Sequence, residues 1–518
     1  MSQMLKSSGA MAAATMTSRL LGMVREMVYA GFMGNSWVAS SFMLAFQVPN
    51  LFRRLLGEGA LTAAFIPIFK KKEVTEGEGE MWRSANAVVS GLVIAAGLVT
   101  VLAVAGISVA LATGTFSAQA TLMLKLLRLM FPYMLLVCLA AVFIGMANAR
   151  GHFFMPALGA VVLNLVMIAS VVFLAPRMGV TLEDRVRALA IGVVVAGLAQ
   201  AFFQLPTLQR EGYRYSWVSP WRDPTVREVV RKMLPGSIGV AAFQINVLAT
   251  QALSFWFDPT IVSTFNYSVR LMELPQGLFG ISLATFMLPA LSGLAAQKKF
   301  PEFRQTLGQG LGYLAFANII AATVAIVLAV PIVRLLFERG AFQGDATLRV
   351  GLSLACLAPG LLMFSMNNVL ARAFYALGDI ATPMKISIFC LSVNLLLSFW
   401  LVQDYREAGL GVANTFTALC NTLLLLYALK RKLGKLDLEA FVHSLTVLLP
   451  AALLAAAIAW SAHSAWESRL GHATLALKIG AVFVPAILAG LGYWVIAVWA
   501  KIPAAADIAS IFLKRIRR

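Results

Sequence analysis

Apolar segments long enough to cross a bilayer follow one another along almost the whole chain, and they leave few folds open. They fall at 8–32, 37–68, 84–113, 119–148, 154–176, 186–207, 233–257, 260–295, 306–336, 345–375, 381–403, 408–429, 441–463 and 475–500. A crossing takes about 20 apolar residues, and inside hydrocarbon every backbone polar group must find its partner within the protein. The pattern predicts an all-α polytopic membrane protein of about 14 transmembrane helices. Only 13% of the 518 residues are charged, against about 25% in soluble domains, so length here counts helices and not soluble domains. Several segments exceed the minimum span and are expected to tilt, bend or run into the interface.

The net charge is +19, which in a soluble protein would suggest nucleic acid. Here the basic residues gather in alternate loops: Lys70-Lys71-Lys72 with Arg83, the run from Arg210 to Lys232, Lys298-Lys299 with Arg304, Lys430-Arg431-Lys432, and the tail Lys514-Arg515-Ile516-Arg517-Arg518. The intervening loops are short and mixed in sign, as at Glu183-Asp184-Arg185, Glu338-Arg339 and Asp404-Tyr405-Arg406-Glu407. This asymmetry places both termini in the cytoplasm, and no nucleic-acid motif accompanies the charge. The first segment, interrupted by Arg19 and Arg25, reads as a retained helix and not as a cleaved signal peptide. Cys138, Cys356, Cys390 and Cys420 sit in apolar runs as small hydrophobes. The four histidines, His152, His443, His463 and His472, have no metal-ligand spacing.

The long polar interval 209–232, with Trp217, Trp221, Pro220, Pro224 and several arginines, suits a linker lying on the membrane surface. It divides an N-terminal lobe of six helices (1–208) from a C-terminal lobe of six (233–432). Two further helices (440–502) and a basic cytoplasmic tail (503–518) follow. The lobes are weakly self-similar. Ala149-Arg150-Gly151 is followed by Pro156 and Asn164, and Ala376-Leu377-Gly378 by Pro383 and Asn394. Six helices per copy preserve orientation, so the pseudo-repeat would be parallel.

A charge at the bilayer centre costs at least about 2.5–3.5 kcal/mol, so an intramembrane charge marks protein interior or a wet cavity. The first segment holds Arg19, Arg25 and Glu26, with Arg19 and Glu26 on one stripe. The second holds Arg53, Arg54 and Glu58, with Arg54 and Glu58 at i, i+4. The eighth holds Arg270 and Glu273 at i, i+3. Lys125 and Arg128 open the fourth segment, Arg372 lies late in the tenth and Lys385 early in the eleventh; for Arg53, Arg54, Lys125, Arg372 and Lys385, snorkelling to the interface or a structural ion pair accounts for the charge equally well. The surplus of arginine over carboxylate points to a cavity that receives an anion, and the planar guanidinium fork suits a diphosphate. Pro49, Pro275, Gly277 and Gly280 interrupt the same region, and Pro235 and Gly236 open the seventh helix, as in transporters with broken helices. No catalytic constellation, metal cluster or P-loop is present. Any energy for transport must then come from a gradient, the membrane potential or consumption of the product.

The runs Thr17-Ser18-Arg19-Leu20-Leu21-Gly22 with Arg25-Glu26, Phe46-Gln47-Val48-Pro49-Asn50-Leu51-Phe52-Arg53-Arg54 with Glu58-Gly59-Ala60 and Ala64-Phe65-Ile66-Pro67, and Arg270-Leu271-Met272-Glu273 with Pro275, Gly277 and Leu288-Pro289 resemble the MurJ (MviN) lipid II flippases. That family belongs to the multidrug/oligosaccharidyl-lipid/polysaccharide exporter superfamily. The resemblance implies two six-helix lobes around a central cationic cavity, two C-terminal helices forming a groove for a polyprenyl tail, and transport by alternating access. It implies lipid II and membrane lipids as partners, no cofactor beyond coupling to an ion or the membrane potential, and a monomer that could meet the cell-wall synthesis machinery. Arg19, Arg25, Arg53 and Arg270 correspond to the substrate-binding arginines, supported by Arg54, Glu26, Glu58 and Glu273. Ser40 and Val269 stand where some relatives carry acids. The alternatives are a flippase for another polyprenyl-linked glycan or a cation antiporter of the same superfamily, which would show surplus carboxylates, and a membrane glycan polymerase, which would need a large periplasmic loop.

Overall fold

Apolar sequence leaves backbone amides no water to bond with, and this chain satisfies them in helices. The computed structural model describes residues 2–55 and 61–507, with side chains described outside 2–15, 63 and 235–240. No strand occurs among the described residues. The chain forms two compact units, Met1–Ser263 and Thr264–Arg518.

The first unit carries α1 (Ser2–Met33), α2 (Trp37–Phe52), α3 (Leu61–Glu76), α4 (Glu78–Thr113), α5 (Ala118–Met130), α6 (Tyr133–Ala149), α7 (Phe154–Ala169), α8 (Leu182–Arg210) and α9 (Pro224–Phe257). One core, with Phe42, Met130, Tyr133, Met134 and Leu189, joins α2, α5, α6 and α8, and a second, with Phe65, Phe69, Trp82 and Phe143, joins α3, α4 and α6. Only Glu211–Asp223 of the polar interval 209–232 lies outside helices. Pro235 and Gly236 do not open a helix, because α9 already starts at Pro224. Asp223 caps that start by accepting from the Thr225 amide at 2.8 Å, and proline at the first helical position loses no bond.

The second unit carries most of α10 (Thr260–Pro275), then α11 (Ser282–Ala296), α12 (Phe300–Val327), α13 (Ala329–Phe337), α14 (Gly344–Leu357), α15 (Gly360–Ala376), α16 (Ala381–Leu433), α17 (Glu439–Arg469) and α18 (Leu475–Trp499). α16 is two helices joined at Arg406, whose φ of 52° and ψ of −132° break the helical path. α17 presents Ala451, Ala452, Ala455 and Ala459 to the unit's core, to which α18 adds Ala489 and Tyr493. Small residues let helices approach closely where no hydrophobic effect drives them together. The Tyr493 hydroxyl donates to the Phe316 carbonyl on α12 at 3.0 Å.

By length and apolarity eight helices qualify as membrane spans among the described residues, or ten if each bent pair counts as one. The bent pairs are α5–α6 at 41° and α14–α15 at 47°. Pro132 stands at the first bend and Pro359 at the second, each 19 residues before the glycine that ends the following helix (151 − 132 and 378 − 359). Those glycines also match. Gly151 (φ 90°) and Gly378 (φ 75°) take the left-handed conformation, and each helix end closes with the amide of the next residue, His152 or Asp379, bonded to the Ala147 or Phe374 carbonyl at 2.9 Å. This is a glycine-terminated helix end, used in the same place in both units.

Candidate functional site

Arg25 sits three-quarters of the way along α1 and is half-buried. Its Nη2 donates to Glu26 Oε1 at 2.6 Å, although neighbouring residues on a helix point about 100° apart. The long arginine stem folds across the helix to make this bond. Its Nη1 donates to Asn164 Oδ1 on α7 at 3.1 Å, and its guanidinium lies 5.6 Å from the centre of the Tyr29 ring. Asn164 is itself buried and donates from Nδ2 to the Ser18 carbonyl at 3.2 Å. Ser18, Gly22 and Arg25 form one stripe on α1, and Gly22 leaves room beside the Asn164 amide. Arg19, on the stripe of Glu26, is exposed and makes no ion pair among the described residues.

On α2, Arg53 Nε donates to Asn50 Oδ1 at 2.8 Å. Pro49 lies four residues earlier and cannot donate to the helix ladder, and the turn at 53–55 widens to a π-helix. Arg54 is half-buried beside it. Glu58 lies outside the described residues. Ser40 is fully buried and accepts from the Ser263 amide in the first turn of α10 at 2.9 Å. It satisfies a helix-start donor that would otherwise lack a partner.

In the second unit, Arg270 Nη1 pairs with Glu273 Oε2 at 2.8 Å on α10, as their i, i+3 spacing predicts. Pro275 ends that helix and Gln276–Ile281 is again π-helical, with Gly277 and Gly280 buried. Both arginine-bearing second helices of the two halves therefore carry a proline and a widened turn. Val269 is half-buried next to Arg270. Lys125, Arg128 and Lys385 are exposed and Arg372 half-buried, all without ion pairs among the described residues, which fits groups that reach for an interface.

Two charge clusters gathered toward helix ends were not evident from spacing. Arg150, at the turn after α6, meets Glu211 at 2.9 Å, Glu78 at 2.9 Å and Glu73. His152 meets the other oxygen of Glu211 at 2.8 Å. The His152 hydrogen bond, with Arg150, holds the Glu211 carboxyl below the usual carboxylate range. In the second unit, Arg334 pairs with Glu467 at 2.9 Å, His472 with Glu467 at 2.7 Å and Lys478 with Glu338 at 3.3 Å. Arg349 holds Glu407 through both carboxylate oxygens at 2.7 and 2.9 Å. Glu338 and Glu407, acids of the loops of mixed sign, thus find basic partners on neighbouring helices. Asn164 and Tyr29 were also missed as partners of Arg25, although an asparagine in an apolar segment was itself a signal, because a buried amide must bond to something.

Residues 29–479 match the family described as lipid II flippase MurJ. A probable lipid II flippase MurJ of Vibrio cholerae is 34% identical over 438 residues, covering 82% of each chain. A lipid II flippase MurJ of Burkholderia cenocepacia is 33% identical over 427 residues, covering 81% of this chain and 82% of its own. Among solved structures, a lipid II flippase MurJ in an inward closed conformation superposes with a TM-score of 0.77 at 20% identity, over 98% of this chain and 99% of that one. An inward-facing multidrug resistance MATE family transporter of the MOP superfamily superposes at 0.65 and 15% identity, over 83% of this chain and 99% of its own. Both structural matches speak for the fold. The family model covers most of the sequence and relatives above 30% identity match it over four-fifths of its length, so the chain belongs to the MurJ lipid II flippase family.

Proposed function

We infer that this protein is a lipid II flippase, a transporter and not an enzyme, set in the bacterial inner membrane. It moves undecaprenyl-diphosphate-MurNAc(pentapeptide)-GlcNAc from the cytoplasmic to the periplasmic leaflet for peptidoglycan synthesis, by alternating access. The family match over residues 29–479 carries this reading. The basic loops, alternating with loops of mixed sign, support cytoplasmic termini.

The chemistry rests on arginine. Arg25 and Arg19 bind the diphosphate and adjoining sugar, a role also proposed for Arg270, while Arg53 and Arg54 recruit or gate. Glu26 acts as a resident counter-ion: it satisfies the Arg25 guanidinium until the diphosphate, with more charge and more acceptor oxygens, displaces it. Asn164 keeps the guanidinium aimed during that exchange. Glu273 serves Arg270 in the same way, and Glu58 is proposed to support Arg54. The exposed apolar side chains of α17, such as Leu453 and Leu454, suit contact with the polyprenyl tail. The membrane potential, worth about 2.3 kcal/mol per charge per 100 mV, is the proposed drive for resetting an arginine-rich site.

The test is the accessibility of lipid II to a periplasmic labelling or cleaving probe in cells depleted of the protein. Depletion should leave lipid II unlabelled, and Arg25→Ala, present at normal abundance, should not restore labelling. Unchanged labelling in cells with no second flippase overturns the substrate and points to another polyprenyl-linked glycan.

A further inference from the structure

The site proposed for transport does not include Glu211–Asp223, yet this stretch is fastened along α4. Tyr213 is buried, with its ring 5.5 Å from Trp82 and 6.1 Å from Phe143. Asn86 Nδ2 donates to the Arg214 carbonyl at 2.9 Å and to Ser216 Oγ at 3.0 Å. Ser90 Oγ and the Tyr215 hydroxyl are 3.2 Å apart. Pro220 packs so closely on Gly91 that a Cβ there would stand 3.2 Å from the proline Cβ.

These contacts set the depth of the segment. It covers the level of α4 from Trp82 to Gly91, about 14 Å at the helical rise. Charge is absent from Ser84 to Thr113, and the last 22 residues of that run, Leu92–Thr113, lie beyond Gly91. That is about 33 Å of helix, the thickness of the hydrocarbon core. Leu92–Thr113 alone fills the hydrocarbon, and Asn86 and Ser90 on the preceding turns are engaged by polar groups of the segment, which sets the segment in the headgroup layer.

Its outer surface suits that layer. Trp217 is 62% and Trp221 71% exposed, and the side chains of Arg214 and Arg222 are exposed with them. Arg210 and Arg227, at the flanking helix ends, are exposed too, and none of these four arginines has an ion pair among the described residues. The local acids are already occupied: Glu211 by Arg150 and His152, and Asp223, buried, as the cap of α9. Indoles favour the membrane interface, and a guanidinium fork favours phosphate.

We propose that Glu211–Asp223 is a binding surface for anionic phospholipid headgroups of the surrounding leaflet, with Trp217 and Trp221 seated at the acyl boundary and Arg214 and Arg222 holding headgroup phosphates. The depth argument selects lipid over an acidic protein. The inference makes no assumption about the transported substrate.

The experiment places the full-length protein in phosphatidylcholine nanodiscs containing a fixed fraction of brominated lipid, supplied either as phosphatidylcholine or as phosphatidylglycerol. The fluorescence of the two indoles is taken as wild type minus Trp217→Phe/Trp221→Phe. Brominated phosphatidylglycerol should quench it at least about twofold more strongly, since each arginine near an anionic surface enriches such lipid roughly fivefold. Arg214→Gln/Arg222→Gln should equalise the two lipids while leaving the quenching itself. Raising salt on the unaltered chain should do the same, so the result does not depend on a variant folding. Equal quenching by both lipids in the wild type at low salt, or no quenching by either, overturns the proposal.

Discussion

Arginine keeps its charge at any pH a membrane meets, so Arg25 cannot become neutral to enter an apolar span and depends on what surrounds it. Glu26 supplies charge and Asn164 supplies direction. Removing the amide in Asn164→Ala takes away a hydrogen bond to a charged group, a loss of about 1.5–3 kcal/mol. Lipid II exposure should fall by about tenfold or more at unchanged abundance, and Asn164→Gln should recover part of it. Exposure equal to wild type in Asn164→Ala would remove the positioning role. A second residue-scale expectation concerns Asp379, outside the spans. Lys432, at 2.7 Å, and then the Thr382 amide hold its carboxyl at about 2, below its ordinary 3.8. A depressed carboxylate stabilises the fold above its unfolded value and loses that contribution as pH falls. The melting-temperature gap between wild type and Asp379→Asn should therefore be constant at neutral pH and shrink from about pH 4 toward pH 2. A gap that widened on acidification would contradict the pairing.

At the scale of elements, the helices themselves were legible because an apolar run in a bilayer has one way to satisfy its backbone. The Arg270–Glu273 pair was legible because i, i+3 spacing brings the two side chains together. The π-turns after Pro49 and at Gln276–Ile281 were legible only as interruptions. Proline removes a donor wherever it stands, but the way the ladder recovers depends on the helices packed against it. The glycine-terminated helix ends can be tested directly. Gly151→Val forces a β-branched residue to φ 90°, where no neighbouring atom lies close enough to clash, so backbone strain alone should lower stability by about 1–2 kcal/mol. Thermal melting in detergent measures it. Gly97→Ala, in open surroundings within α4, is the control and should be neutral or stabilising.

On the scale of the whole molecule, the two units repeat a bent helix, a glycine end and a following proline, and each closes its loops with ion pairs. Arg150 ties the end of α3, the start of α4 and the end of α8 in the first unit. Its side chain is only 16% exposed, so the network is worth more than a surface salt bridge. Arg150→Ala would take a shared partner from three carboxylates, of which Glu73 keeps Lys70 and Glu211 keeps His152, and should cost about 1–3 kcal/mol. Combining it with Glu211→Gln should cost less than the sum of the two, because both changes break the same pair. Strict additivity in melting measurements would show that the network is not coupled.

The sequence by itself determined the solvent, the secondary structure and the sign of the charge placed within the spans. Each follows from composition or from neighbours three or four residues apart, and hydrocarbon permits no alternative. Even the choice of arginine over carboxylate, which separates an anion site from a cation site, could be read from the letters. Tertiary structure alone decided which partner each charge took. Asn164 reaches Arg25 across 139 residues of chain, Ser40 reaches the Ser263 amide across 223, and Arg150 gathers carboxylates from three places. It also fixed the depth of Glu211–Asp223, which depends on the α4 residues that fasten it. Spacing along a helix is a local property, whereas the meeting of two helices depends on the packing of everything between them.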